Sequence, residues 1–217
     1  SSSNTAVVSI SGNTLTVVGA GTANVTASQA GNGSYNPAPN VVQSITISPK
    51  TLTIAGAAAQ NKAYNGNATA VITGTLSGVV GSDDVALNGI GTFADVNVAD
   101  GIAVTAACTL TGTTAGNYTL TQPTGLSANI TAANATITFN AIPTYSTANS
   151  SFTLNATASS GATVSYTSSN TSVATVTGNV VTIVAAGTSV ITASAGAATN
   201  FNAPSSVTQT LTVTSAL

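Results

Sequence analysis

The chain has 217 residues, of which only two are Lys or Arg and four are Asp or Glu, and it contains no His. Charged residues make up 3% of the chain, whereas an ordinary soluble domain has about 25%. Acid–base pairs, metal clusters and nucleophilic triads depend on His, Glu or grouped Asp side chains, so we expect no enzyme and no catalytic, cofactor-binding or metal site. Lys50 and Lys62 cannot form the basic patch that nucleic acid or an anionic membrane surface requires.

The apolar content predicts a folded chain. Hydrophobic residues make up 43% of the sequence, which differs from the low hydrophobicity of disordered chains. Polar residues or glycine interrupt every apolar run before it reaches the roughly 20 residues of a transmembrane helix, so we expect no membrane insertion. Cys108 is the single cysteine, which excludes an internal disulfide. Its apolar neighbours predict a buried thiol, and an exposed reactive thiol is the alternative.

The N-terminal part of the chain recurs near the C-terminus. Residues 2–48 align without a gap on residues 168–214, and roughly two positions in five are identical. Gly12-Asn13 aligns with Gly178-Asn179. Both dipeptides predict a tight hairpin, because Gly and Asn tolerate the positive φ that suits such turns.

Apolar residues in the repeat alternate with Thr and Ser, as in Leu15-Thr16-Val17 and Ile45-Thr46-Ile47. A two-residue period is typical of a strand buried on one face. Short strands at intervals of about 8 to 12 residues, separated by Gly, Asn and Pro, are typical of antiparallel sandwiches. The sequence therefore predicts an all-β fold of tandem antiparallel β-sandwich modules.

The middle of the chain does not match the repeat, and we place module boundaries so that the modules are residues 1–49, 50–131 and 132–217. An alanine-rich link is expected after the first strand of the middle module. The strands predicted in that module are Thr51–Ile54, Ala70–Leu76, Asp84–Leu87, Ile102–Ala106, Tyr118–Leu120 and Ala128–Thr131.

The first and third modules differ in completeness. Residues 132–217 include leading strands, near Thr136–Phe139 and Ser151–Ala156, that have no counterpart in residues 1–49. A partial sheet exposes an edge and a face, so residues 1–49 need further strands to close a core. We expect an upstream continuation of the natural chain to supply these strands. The alternative is that another chain supplies them.

A motif near the C-terminus resembles a known family. The run SSNTSVATV from Ser168 to Val176, followed by GTSVITA from Gly187 to Ala193, resembles the hallmark of the bacterial immunoglobulin-like group 2 family, and residues 2–28 resemble it too. Tyr166 stands where that family has a Trp. The resemblance implies immunoglobulin-like β-sandwiches, the first one incomplete, in residues 1–49 and 132–217.

The middle module resembles a second family. The run from Lys62 to Gly66, KAYNG, is similar to the Lys-x-Tyr-Asp-Gly signature of YDG-type β-modules, with Asn65 in place of the Asp. Asp83-Asp84-Val85, Gly91-Thr92-Phe93 and the run from Ala115 to Leu120 follow in that family's order. The alternation of the two module types is similar to giant repeat adhesins of Bacteroidota, including those that drive gliding.

These resemblances imply a non-catalytic stalk of a large secreted adhesin at the bacterial cell surface. Its partners would be neighbouring modules of the same longer chain. A module that binds glycans or another surface in its own right is the alternative. Charged side chains at strand edges usually prevent edge-to-edge pairing between chains. This chain has few charges, which predicts lateral self-association.

Two groups of charged residues are candidate sites. Asp83, Asp84, Asp95 and Asp100 could offer carboxylate oxygens to calcium, but their spacing matches no calcium loop, so solvated loop charges are expected. Lys62 is expected to form an ion pair with Asp83 or Asp84 at the Lys-Ala-Tyr turn. An isopeptide bond from Lys62 to an asparagine is the alternative.

The tyrosines form the third candidate group. Tyr64, Tyr118, Tyr145 and Tyr166 could stack on sugars, but core or corner positions account for them more simply.

Overall fold

The computed structural model describes residues 1–216 and confirms the predicted all-β fold. Strands account for 56% of the chain, and the described residues contain no α-helix, only a 3₁₀ turn at Ala115–Asn117. In that same part of the chain, no helix has the length and apolar character needed to cross a membrane.

The chain divides into two compact units. Unit 1 contains residues 1–60, 68–95 and 101–128, and unit 2 contains residues 61–67, 96–100 and 129–217. Unit 2 therefore includes two short segments, 61–67 and 96–100, from the middle of the sequence.

The strands are short and follow one another closely along the chain. The first twelve are β1 (Val8–Ser11), β2 (Thr14–Val17), β3 (Gly21–Gln29), β4 (Ala38–Ile47), β5 (Lys50–Ala59), β6 (Lys62–Ala63), β7 (Thr69–Ser77), β8 (Ala86–Asn88), β9 (Ile90–Phe93), β10 (Ala99–Ala106), β11 (Thr109–Thr111) and β12 (Tyr118–Leu120). The second twelve are β13 (Leu126–Thr131), β14 (Ala133–Asn134), β15 (Ile137–Thr138), β16 (Tyr145–Ser146), β17 (Ser151–Thr153), β18 (Thr157–Ala158), β19 (Val164–Ser168), β20 (Ala174–Thr177), β21 (Val180–Ile183), β22 (Gly187–Ala195), β23 (Phe201–Asn202) and β24 (Val207–Thr214).

In unit 1, the strands β12, β5, β7, β9 and β10 lie side by side in that order, and β1-β2 and β3-β4 form separate antiparallel pairs. The expected alanine-rich link is wrong, because Ala55–Ala59 continues β5. Its pairing with β7 shifts register between Ala55 and Ala58, next to Gly56, whose φ of 63° suits a bulge. Leu52, Ile72 and Phe93 are buried along these strands.

Unit 2 contains two facing sheets, with strand orders β16-β24-β22-β19 and β17-β21-β20. Both sheets contribute side chains to one buried cluster, which is the arrangement of a β-sandwich. The cluster consists of Ile137, Phe139, Leu154, Val173, Ala174, Val181, Ile191, Ala193, Leu211 and Val213.

Within residues 1–216 the pairing is mainly antiparallel, as predicted, but parallel pairs also occur. Parallel pairs include β5 with β12, β6 with β13, β14 with β23, and β16 with β24. Three predicted strands are shorter than expected. The one expected at Asp84–Leu87 begins at Ala86, the one expected near Thr136–Phe139 covers Ile137–Thr138, and the one expected at Ser151–Ala156 ends at Thr153.

The sequence repeat is also a structural repeat. Strands β1, β2 and β3 begin at residues that align with the first residues of β20, β21 and β22 respectively. Their ladders have matching registers, with Val25 opposite Gln43 and Ile191 opposite Gln209. The predicted hairpins are confirmed, since Ser11 pairs with Thr14 around Gly12-Asn13, and Thr177 pairs with Val180 around the second dipeptide.

Local hydrogen bonds recur between aligned residues of the two copies. The carbonyl of Val7 accepts from Val18 and Gly19, as the carbonyl of Val173 accepts from Val184 and Ala185. The Oγ of Ser3 accepts from the Asn24 amide at 2.8 Å, and the Oγ of Ser169 accepts from the Val190 amide at 2.9 Å. The same short-range bonds therefore build the turns and strands in both copies.

One pair of aligned residues tests how much the core of unit 2 stabilises its strands. Leu211 is fully buried, whereas its counterpart Ile45 is half-buried. Leu211→Ala should lower the free energy of unfolding by about 2–5 kcal/mol, the usual loss for a buried aliphatic side chain, and the matched variant Ile45→Ala should lower it by clearly less. Urea unfolding followed by tyrosine fluorescence measures both, and equal losses would contradict the difference in packing.

Candidate functional site

The candidate site is a cleft of about 180 Å³ in unit 1. One side is formed by residues 17–20, which begin at the last residue of β2, and by residues 47–48 at the end of β4. The other side is formed by the sheet that contains β5 and β12 and by its loops. Its lining residues are Val17, Val18, Gly19, Ala20, Ile47, Ser48, Lys50, Val80, Asp83, Asn117 and Tyr118.

Tyr118 and Asp83 form the polar centre of the cleft. The Tyr118 hydroxyl donates to Asp83 Oδ2 at 2.5 Å and accepts from the Val80 amide at 3.0 Å. Tyr118 follows the 3₁₀ turn and opens β12, which pairs with the start of β5 so that Tyr118 lies opposite Lys50. The phenol thus joins the loop at 80–83 to the sheet.

The hydrogen bond to Asp83 raises the pKa of Tyr118 above its ordinary value of 10.0, with burial adding to the rise. A neutral phenol can donate to a carboxylate, whereas a phenolate next to that carboxylate would be repelled. The pair therefore acts as a fixed donor and acceptor at neutral pH.

Asn117 joins the N-terminal strands to the same turn. Its Oδ1 accepts from the Ala20 amide at 2.8 Å, although the two residues lie 97 positions apart. Gly19 packs closely here, because a Cβ at that position would lie 2.8 Å from both Ala6 O and Asn117 Oδ1. Asn117 and Tyr118, adjacent in sequence, thus fix two different segments of unit 1.

Asp84 binds the loop that contains Thr113 and Thr114. Its Oδ2 accepts from the amide of Thr113 at 2.9 Å and from the hydroxyl of Thr113 at 2.8 Å. These two bonds lower the pKa of Asp84, the backbone bond having the larger effect. The backbone carbonyl of Asp84 also accepts from the amide and the hydroxyl of Thr114.

The four aspartates do not come together as one site. Asp83 and Asp84 bind the partners described above, and Asp95 and Asp100 are exposed. Within residues 1–216, no three His, Cys, Asp or Glu side chains are grouped so that they could hold a metal ion.

The expected ion pair of Lys62 with Asp83 or Asp84 is wrong. The Lys62 ammonium donates to the backbone and side-chain oxygens of Asn67, at 2.7 and 2.8 Å. Lys50 lines the cleft.

The four tyrosines considered as sugar-binding residues all make internal contacts. Tyr64 packs edge-on against Phe201 at 5.5 Å between ring centroids, and Tyr145 stacks on Phe152 at 4.0 Å. The Tyr166 hydroxyl accepts from the Ala156 amide at 2.7 Å, and Tyr118 is buried at the cleft. Tyr145 and Tyr166 pack against the buried cluster of unit 2, so Tyr118, Tyr145 and Tyr166 take core positions, as the sequence predicted.

Tyr35 differs from the other tyrosines and was not among the sequence candidates. Its ring is 75% exposed, although its aligned counterpart, Phe201, is packed against Tyr64. The repeat alignment pairs Tyr35 with Phe201, but the difference in burial between the two residues is visible only in the structure.

Cys108 is buried, which confirms the predicted buried thiol. Its Sγ donates a weak hydrogen bond to the Ile90 carbonyl at 3.6 Å. The side chain of Gln122 binds both backbone polar groups of Cys108, accepting from the amide and donating to the carbonyl, each at 2.8 Å. The cysteine therefore has a packing role.

One half of the cleft belongs to a segment that a family model matches. Residues 48–128 are a YDG domain. The YDG domain contains Asp83, Asn117 and Tyr118, and thus the polar half of the cleft. A comparison with curated proteins finds no match to the chain.

The Asp83–Tyr118 bond within the YDG domain has a spectroscopic signature. Of the five tyrosines, Tyr118 should ionise at a raised pH, and Asp83→Asn should bring that step back toward the ordinary pKa. Because the raised pKa belongs to the folded state, the stabilising effect of the bond should be complete below pH 10.0 and be lost as the pH rises through the folded pKa.

An ultraviolet titration of phenolate absorbance measures this step. Tyr118→Phe is the matched control, because it keeps the buried ring and removes the late-ionising group. A wild-type titration in which all tyrosines ionise together, unchanged by Asp83→Asn, would contradict the assigned bond.

Proposed function

We propose that the chain is a non-catalytic stalk segment of a large secreted repeat protein, an adhesin, on the bacterial cell surface. In this proposal the YDG domain alternates with immunoglobulin-like modules, as in giant adhesins of Bacteroidota. The neighbouring modules of the same chain are its partners, and the ligand of the whole protein binds elsewhere.

The observation that carries the proposal is the structural repeat on both sides of the YDG domain. The same strands, ladder registers and turn hydrogen bonds occur at aligned positions before and after it. Repetition of one structural unit is how proteins increase their length without a new fold. A fragment that repeats its own start after one intervening domain fits a segment of such an array.

The composition supports an extracellular role. Outward strand positions carry Thr and Ser, as at Thr22 and Thr46, whose hydroxyls bond to each other at 3.2 Å. Such a surface is hydrated but has almost no electric field around it. The two lysines, the only residues after which trypsin can cleave, both lie in strands, which suits a chain exposed to proteases.

One observation favours the alternative, a module that binds glycans itself. Tyr35 presents a 75% exposed ring, and exposed aromatic rings can stack on sugars. A single ring is a small contact, so repetition along an array would be needed to give useful avidity.

Surface labelling of intact cells tests the proposal. Antibodies raised against the chain should label source cells that have not been permeabilised, because the segment is expected outside the cell. The isolated chain should bind no glycan on an array, because a stalk segment carries no ligand site.

Two outcomes would contradict the stalk proposal. Labelling only after permeabilisation would exclude a surface location. Glycan binding by the wild-type chain that Tyr35→Ala abolishes and Tyr35→Phe retains would favour the binding module instead.

A further inference from the structure

The apolar face of residues 1–47 lacks the cover that the aligned residues have in unit 2. Leu15 is 40% exposed, whereas Val181, its counterpart, is completely buried. We call the less buried positions the open face. The open-face residues and their buried counterparts are Leu15 and Val181, Val25 and Ile191, Ala27 and Ala193, Ile45 and Leu211, and Ile47 and Val213.

In unit 2, this face is covered by strands from residues 137–168. Strand β19 pairs with β22, β16 pairs with β24, and β17 pairs with β21. Between these pairings, Ile137, Phe139 and Leu154 enter the buried cluster. In unit 2, three strands and three large apolar side chains therefore cover this face.

The corresponding strands of unit 1 lack these neighbours. Within residues 1–216, β3 pairs only with β4, apart from an isolated bridge between Ser2 and Val25. Ser2 and Val25 align with Ser168 and Ile191, which lie opposite each other in the ladder of β19 and β22. The Ser1 amino group and carbonyl also bond to Thr26. Residues 1–3 thus occupy the place of the last residues of β19.

We propose that the open face is the docking surface for the leading half of a module of the same repeat. This segment would have the strand pattern and apolar residues of residues 132–167. The pairing of Ser2 with Val25, which matches that of Ser168 with Ile191, favours this occupant. In a second copy of the chain, by contrast, residues 137–168 are already committed to its own core.

The side chains of the face suit such a segment. Substitutions between the two copies keep similar apolar volume, as in Ile45 for Leu211 and Val25 for Ile191, so the same covering residues fit with little repacking. The face keeps a small buried centre of its own, formed by Val7, Val8 and Ala23. The structure thus has a preformed base on which the remaining strands can assemble.

Tyr35 gives a second, independent sign of a missing neighbour. Its counterpart Phe201 packs against Tyr64, a residue of the sequence that precedes the third module, whereas Tyr35 is 75% exposed. This inference goes beyond the stalk function and does not depend on it.

A fusion protein tests the proposal. A copy of residues 132–167 is joined in front of Ser2, so that the junction reproduces the natural link between Thr167 and Ser168. The amides of Val25 and Ile45 should then exchange with solvent slower by on the order of tenfold or more, because local opening now has to break a complete core. Hydrogen exchange by NMR measures this change, with the amides of Ile191 and Leu211 as internal references.

The matched control carries Ile137→Asn and Leu154→Asn in the added copy only. These changes put polar groups where the cover needs apolar ones, so the amides of Val25 and Ile45 should keep their original exchange rates. A folded fusion with unchanged exchange at Val25 and Ile45 would overturn the proposal.

Sedimentation of the original chain provides a second test that does not depend on how the fusion folds. A monomer with rapid exchange at Val25 and Ile45 supports an unoccupied face. A dimer in which these amides are already protected would overturn the proposal, because a second copy would then be the occupant through lateral self-association.

Discussion

The structure depends on covering one apolar face of each strand pair. With charged residues at 3% of the sequence, ion pairs can contribute little, so the fold is held by backbone ladders and buried aliphatic side chains. Fully burying one Val, Leu or Ile side chain contributes about 1.5–3 kcal/mol. In unit 2, two sheets share one buried apolar cluster, and no buried side-chain nitrogen or oxygen in the described part of the chain lacks a hydrogen bond.

Local structure and burial are separable in this chain. The two repeat copies form the same strands and turn bonds, because those bonds join residues within the repeated segment, such as Ser3 and Asn24. Their cores differ, because in unit 2 the cover comes from residues 137–168, most of which precede the repeated segment. In unit 1, the Asn117–Ala20 and Tyr118–Asp83 bonds fix the turn after β2 and the loop at 80–83. They do not cover the strand face, so residues 1–47 can be fixed at their turns while one face remains open.

The sequence predicted what short-range patterns determine. Alternation of apolar residues with Thr and Ser predicted the strands, Gly12-Asn13 predicted a hairpin, and the neighbours of Cys108 predicted its burial. Contacts between distant residues were not predictable in this way. The predicted Lys62 ion pair was wrong because the Lys62 ammonium binds the backbone and side-chain oxygens of Asn67 instead. The partners of Asp83 and Asn117 depend on a parallel pairing between β5 and β12, for which the sequence gives no register.

Residue-specific hydrogen exchange on the unmodified chain tests the account most directly, because each amide of the first copy has an aligned amide in the second. Where burial is equal in both copies, as at Val8 and Ala174, protection should be similar. At Val25 and Ile45, protection should be much weaker than at Ile191 and Leu211, although the ladder registers match. Equal protection at these pairs would contradict the claim that cover by a second sheet, rather than the local ladder, determines the stability of each copy.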